Sequence, residues 1–167
     1  AFGGEARKGD NLFTASVVAL DMKTGKRRWH YQVVHHDIWE ADVSIAPIAY
    51  ETSVGGRTRK AVAAMRADGY LFMLDAETGK PVIPVEERAV MQDPRNATAL
   101  TQPFPAGDRL VPGCERWKDK VPKVFVVDCS GFTPQFLDRF NVVGTGAAGV
   151  PSVRVTPMSF SRQTGYF

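Results

Sequence analysis

The 167-residue chain has no run of about 18 apolar residues, so no segment of it is built to cross a bilayer as a helix. It opens with no basic n-region, apolar h-region and cleavage site, which leaves any export signal outside this stretch. Charge of one sign is not concentrated anywhere. The net charge is +3, yet Lys and Arg are interleaved with Asp and Glu, and the densest basic stretch, Lys26-Arg27-Arg28 with Lys23, falls in a turn. A solvated loop accounts for that stretch, and nucleic acid is not an expected partner. Cysteine is scarce: only Cys114 and Cys129, 15 residues apart in a Pro- and Gly-containing region. Without CxxC spacing or a nearby His they make no zinc site. If paired, they would close a loop worth about 3 kcal/mol and point to an oxidising compartment. Two unpaired thiols in a reducing compartment are the other reading.

Helical periodicity is also missing. What recurs instead is short apolar runs bounded by turn residues: Ala15 to Leu20, Arg28 to Val34, Val43 to Tyr50, Lys60 to Met65, Tyr70 to Leu74 and Lys123 to Val127. With 44% hydrophobic and 23% charged residues the chain has material for a packed core, and the pattern is all-β. The intervening turns are explicit: Lys23-Thr24-Gly25-Lys26, Ser53-Val54-Gly55-Gly56, Ala67-Asp68-Gly69 and Glu77-Thr78-Gly79-Lys80.

An internal repeat organises these runs. Ala19-Leu20-Asp21-Met22-Lys23-Thr24-Gly25-Lys26-Arg27-Arg28-Trp29 returns as Met73-Leu74-Asp75-Ala76-Glu77-Thr78-Gly79-Lys80-Pro81-Val82-Ile83, 54 positions later. Phe160-Ser161-Arg162-Gln163-Thr164-Gly165 is a weaker third copy. Each unit reads as a strand ending in Leu-Asp, a turn whose Asp accepts backbone N–H groups and whose Gly closes it, then a return strand whose Trp or Ile packs between neighbouring sheets. A repeat of about 40 to 55 residues with several strands fits propeller blades. The expected organisation is a partial β-propeller over residues 1–167, with blade repeats around 12–34, 60–84 and 157–167 and an irregular insertion over about 85–122. Asn96-Ala97-Thr98 in that insertion matches a glycosylation sequon by pattern only.

The blocks Gly9-Asp10-Asn11-Leu12-Phe13-Thr14, His35-His36-Asp37-Ile38-Trp39-Glu40-Ala41-Asp42, Gly69 to Asp75, Glu77 to Pro81, Thr101-Gln102-Pro103-Phe104-Pro105 and Pro157-Met158-Ser159-Phe160 resemble, in the same order, the PQQ-dependent alcohol and glucose dehydrogenases. The resemblance implies an eight-bladed propeller of four-stranded sheets with PQQ and Ca²⁺ on its axis, of which two to three blades are represented. It also implies a periplasmic protein, truncated at both ends of this stretch. Its partner would be the remainder of the propeller or another chain, and its substrate a small alcohol or sugar. Open blade faces and strand edges predict that this stretch does not fold stably alone.

The same resemblance places the catalytic base, a carboxylate after the Trp of the His-His-Asp block, at Glu40, and makes Glu40 the calcium ligand of this stretch. Glu lengthens the usual Asp by a methylene, and misplacement by about 1 Å can cost about 100-fold. Asp42, placed on the same strand face, is the alternative carboxylate. The cation that supports the quinone oxygens falls at Ala67; Arg66 next to it reaches that position only through a local bulge. A third departure is Val153-Arg154-Val155-Thr156 in place of the element before Pro-Met-Ser. His35 and His36 point to opposite faces of a strand and read as hydrogen-bonding residues rather than metal ligands. Trp29 and Trp39 read as interblade packing and Trp117 as a loop anchor. The expectation is a dehydrogenase-type fragment with altered or lost activity; the alternative is a non-catalytic propeller serving as a structural or interaction subunit of a larger, membrane-associated complex.

Overall fold

The strands Ser16–Leu20, Ile48–Val54, Arg57–Met65 and Leu71–Asp75 each end in turn chemistry written into the chain. The structure is a computed structural model that describes residues 3–110, 118–120, 122, 129–136 and 157–167. Strands β1 (Ser16–Leu20) and β2 (Arg27–Gln32) form one antiparallel pair. β3 (Ile48–Val54), β4 (Arg57–Met65) and β5 (Leu71–Asp75) form an antiparallel meander, and β6 (Val85–Ala89) pairs with β7 (Thr101–Pro105). After β5 the chain folds back, bridging Leu74 to Pro81 and donating the Val82 N–H to the Met73 carbonyl at 2.8 Å. The meander thereby gains a fourth segment along its edge.

The β3–β4 hairpin closes on Gly55 and Gly56, with φ of +59° and +74°. Two successive positive φ values match the twist of paired strands, and glycine takes them without a Cβ penalty. β4 is polar at its start, where Arg57, Arg59 and Lys60 are exposed, and small at its end, where Ala61, Ala63 and Ala64 are buried. β5 alternates, burying Phe72 and Leu74.

The repeat is a physical unit. Asp21 Oδ1 accepts from the Lys23 and Thr24 N–H groups (3.1 and 2.9 Å) and from the Thr24 hydroxyl (2.9 Å). Asp75 makes the same three bonds to Glu77 and Thr78 at the same distances. These hydrogen bonds, the threonine hydroxyl first, hold both carboxyls below their ordinary value. In the third copy Ser161 stands where Asp stands, and its Oγ accepts from Thr164 N at 3.3 Å. The first unit reaches the second through Trp29, whose indole N–H donates to the Ala76 carbonyl at 3.0 Å. A Cβ on Gly79 would lie 2.6 Å from that indole.

Three expectations change. The stretch 85–122 contains the β6–β7 pair and is not uniformly irregular. The β3 strand starts at Ile48, so Val43 lies outside it. The His35–Asp42 block is a loop following β2, which removes the strand-face arguments for His35 against His36 and for Glu40 with Asp42. Lys123–Val127, Cys114, Trp117 and Val153–Thr156 lie outside the described residues. Cys129 is disulfide-bonded.

Candidate functional site

The His35–Asp42 loop leaves β2 and crosses the main apolar cluster, built from Val33, Val34, Ile38, Trp39, Phe72 and Phe104, with Phe132. Its irregular path gives His36 and Glu40 φ values of +47° and +56°, unusual for residues with a Cβ. Side chains hold that path in place. Gln102 from β7 accepts the His35 N–H (2.8 Å) and donates to the His35 carbonyl (2.7 Å). The ring nitrogens of His35 lie 2.9 Å from Gln32 Oε1 and 3.2 Å from Glu87 Oε1. His36 is buried, with its ring nitrogens 2.6 Å from the Gly9 carbonyl and 3.2 Å from the Asn96 carbonyl. Both histidines thus brace a loop.

Asp37 Oδ1 accepts the N–H groups of Trp39 (2.9 Å) and Ala41 (3.3 Å). Burial pushes the Asp37 carboxyl above its ordinary 3.8, and Asp42 adds to this, while the two N–H groups pull the other way. Trp39 is fully buried, packs edge-on against Phe132 and donates its indole N–H to the Thr133 carbonyl at 2.9 Å. Glu40, half-buried, follows it.

A hydrogen bond from the Ala67 N–H to the Asp42 carbonyl at 3.0 Å joins the loop to the turn after β4. Glu40 and Ala67, separated in sequence, therefore belong to one locality. Ala67 itself is fully buried. Arg66 is also fully buried and turned into the core, with Nε 3.0 and 3.1 Å from the Asp68 oxygens and Nη1 donating to the carbonyls of Val33 (2.8 Å) and Pro103 (2.7 Å). Its Nη2 lies 2.9 Å from Asp68 Oδ2, an ion-pair contact whose geometry falls short of a hydrogen bond. The rings of Tyr70, Phe72, Phe104 and Phe132 surround the guanidinium at 5.0 to 5.3 Å. Beyond the turn, the Leu110 N–H donates to the Gly69 carbonyl at 2.8 Å. A cavity of about 530 Å³ opens there, lined by Met65, Gly69, Leu71, Arg109 and Met158.

The β-propeller domain model described as glucose/ethanol/alcohol dehydrogenase, PQQ type, matches residues 1–134. The chain belongs to this quinoprotein family. Among curated relatives of this quinoprotein chain, the quinoprotein glucose dehydrogenase of Gluconobacter oxydans is 39% identical over 62% of the chain and 13% of its own length. The glycerol dehydrogenase large subunit of Gluconobacter thailandicus is 35% identical over 75% of the chain and 16% of its own length. The crystal structure of quinohemoprotein alcohol dehydrogenase from Comamonas testosteroni is similar over 57% of the chain and 14% of that structure, at 33% identity and a TM-score of 0.42. The chain thus spans about a seventh of the length of the relatives it matches.

The locality fits a quinone cofactor on one side only. Glu40 offers a carboxylate, but position 67 carries a methyl group and the neighbouring guanidinium is neutralised inside the core. Among the described residues no group of three His, Cys, Asp or Glu side chains converges to hold a metal ion. Sequence reasoning missed Asp37, Asp68 and Gln102. The first two lie next to recognised positions; Gln102 acts on a loop 67 residues away and gives no local signal.

Proposed function

We propose that the full-length protein is a periplasmic PQQ-dependent dehydrogenase acting on a small alcohol or sugar, with a site altered at position 67. When bound, PQQ supplies the hydride acceptor. Glu40 would take the proton of the substrate hydroxyl, and the same carboxylate would be the contribution of this chain to holding Ca²⁺. Arg66 serves the cofactor indirectly, by anchoring the Ala67–Gly69 turn from below. The observation that carries the proposal is the Ala67 N–H to Asp42 carbonyl bond, which keeps the Glu40 loop beside that turn. The disulfide at Cys129 supports an oxidising compartment.

A specific feature favours a second reading. With alanine at 67 and Arg66 turned inward, neither of these two positions supplies a cation to support developing negative charge on a quinone. A propeller that binds no cofactor and serves as a structural or interaction subunit, paired to the remaining blades or another chain, has that composition. Reconstituting the full-length protein with PQQ and Ca²⁺ separates the two. The dehydrogenase reading predicts quinone absorbance and dye-linked alcohol oxidation, and absence of both overturns it. Glu40→Asp with Ala67→Lys should raise cofactor affinity and turnover at least about tenfold, the scale of one preorganised charge; no gain overturns the assignment of these two positions.

A further inference from the structure

Asp37 is 9% exposed, and its Oδ1 receives the N–H groups of Trp39 and Ala41. Those residues flank Glu40, whose φ of +56° persists in a residue with a Cβ only where its surroundings over-determine it. The clamp is itself fixed at both ends. Arg7 Nη2 donates to the Asp37 carbonyl at 3.1 Å, and the Trp39 indole is tied to Thr133 and stacked edge-on against Phe132. A single side-chain atom, Asp37 Oδ1, thus ties down the N–H of the residue before Glu40 and the N–H of the residue after it.

We propose that Asp37 is a positioning residue: it holds the backbone of Glu40 in this left-handed conformation and so sets where the Glu40 carboxyl stands. The consequence for turnover rests on Glu40 being the base; the positioning itself does not. Because both hydrogen bonds end on Oδ1, an amide oxygen can replace it. Asn at position 37 therefore keeps the clamp, Glu displaces it by a methylene and Ala removes it.

The experiment uses the full-length protein with PQQ and Ca²⁺ and the variants Asp37→Ala, Asp37→Glu and Asp37→Asn. Amide hydrogen exchange is followed at Trp39 and Ala41, alongside kcat and KM in the dye-linked assay. Asp37→Ala and Asp37→Glu should exchange these two amides at least about tenfold faster than the parent protein, as a local opening does. Their kcat should fall about 100-fold, with KM moving less than about threefold, the pattern of a misplaced reacting group. Asp37→Asn should restore both readouts. The proposal is overturned if Asp37→Ala exchanges these amides at the parent rate, or if Asp37→Asn is as impaired as Asp37→Ala. Should Asp37→Ala not accumulate as folded protein, Asp37→Glu carries the comparison. If the parent protein shows no turnover, the dehydrogenase reading falls, and the exchange rates still decide whether Asp37 holds the loop.

Discussion

Arg66→Leu is the substitution for which the structure sets the sharpest expectation. The change removes a guanidinium that meets both oxygens of Asp68, two backbone carbonyls and four aromatic rings, all in a region where Arg66 has no exposed surface and Asp68 is 4% exposed. Burying two charges together gains little over an apolar pair of the same volume, but removing one partner strands the other. The stranded Asp68 charge sets the scale at about 3–5 kcal/mol of lost stability. Arg66→Leu combined with Asp68→Asn leaves no buried charge and keeps an acceptor for the Tyr70 N–H, which now bonds Asp68 Oδ1 at 3.3 Å. The double variant should recover about 2 kcal/mol relative to the single one, its remaining cost being the Val33 and Pro103 carbonyls, about 1 kcal/mol each. Urea denaturation of the full-length protein, read as a double-mutant cycle, measures the difference. Equal destabilisation of the single and double variants would refute the buried-pair account.

Two further outcomes follow from the turn and loop geometry. Gly79→Ala places a Cβ 2.6 Å from Trp29 at a φ of +70°; it should cost about 2–4 kcal/mol in the parent protein but only about 1–2 kcal/mol, the left-handed backbone penalty, once Trp29 is also changed to Ala. An equal cost in both backgrounds, read by urea denaturation, would remove the docking contact from the account. Asp37 has a folded pKa raised above its ordinary 3.8 by burial, so the folded state holds its proton more tightly and its stability contribution is lost as pH rises from about 4 through the folded value. Asp37→Asn, which does not titrate, should therefore gain stability relative to the parent between pH 4 and pH 7; a constant difference in melting temperature across that range would show that the carboxyl is not desolvated.

The parts of the fold that sequence reveals are those whose chemistry is local. Asp21, Thr24 and Gly25 complete one another within five residues, as do Asp75, Thr78 and Gly79, so the repeat, the turns and the all-β class are legible. The β6–β7 pair is not, because β7 carries Pro103 and Pro105, which depress any strand signal, and its partner β6 is polar over Glu86, Glu87 and Arg88. The site is legible as a set of positions and not as an arrangement. Alternation along a strand misplaces Glu40, Asp42 and the two histidines because the loop takes left-handed steps at His36 and Glu40, which no local residue type announces. Arg66 turns inward because its four aromatic neighbours come from three separate stretches of chain, a convergence that exists only after folding.

Trp29 and Trp39 differ in what surrounds them, and that difference makes them separate optical reporters. Trp29 is half-buried on the seam between the first two repeat units, hydrogen-bonded to the second unit's turn and lying against Gly79. Parting of those units wets its indole while both sheets stay intact, shifting its emission to the red. Trp39 is enclosed by the apolar cluster beneath the Glu40 loop and stays dry in the same event. A red shift lost on Trp29→Phe and kept on Trp39→Phe would thus time the opening of the seam separately from the melting of the core.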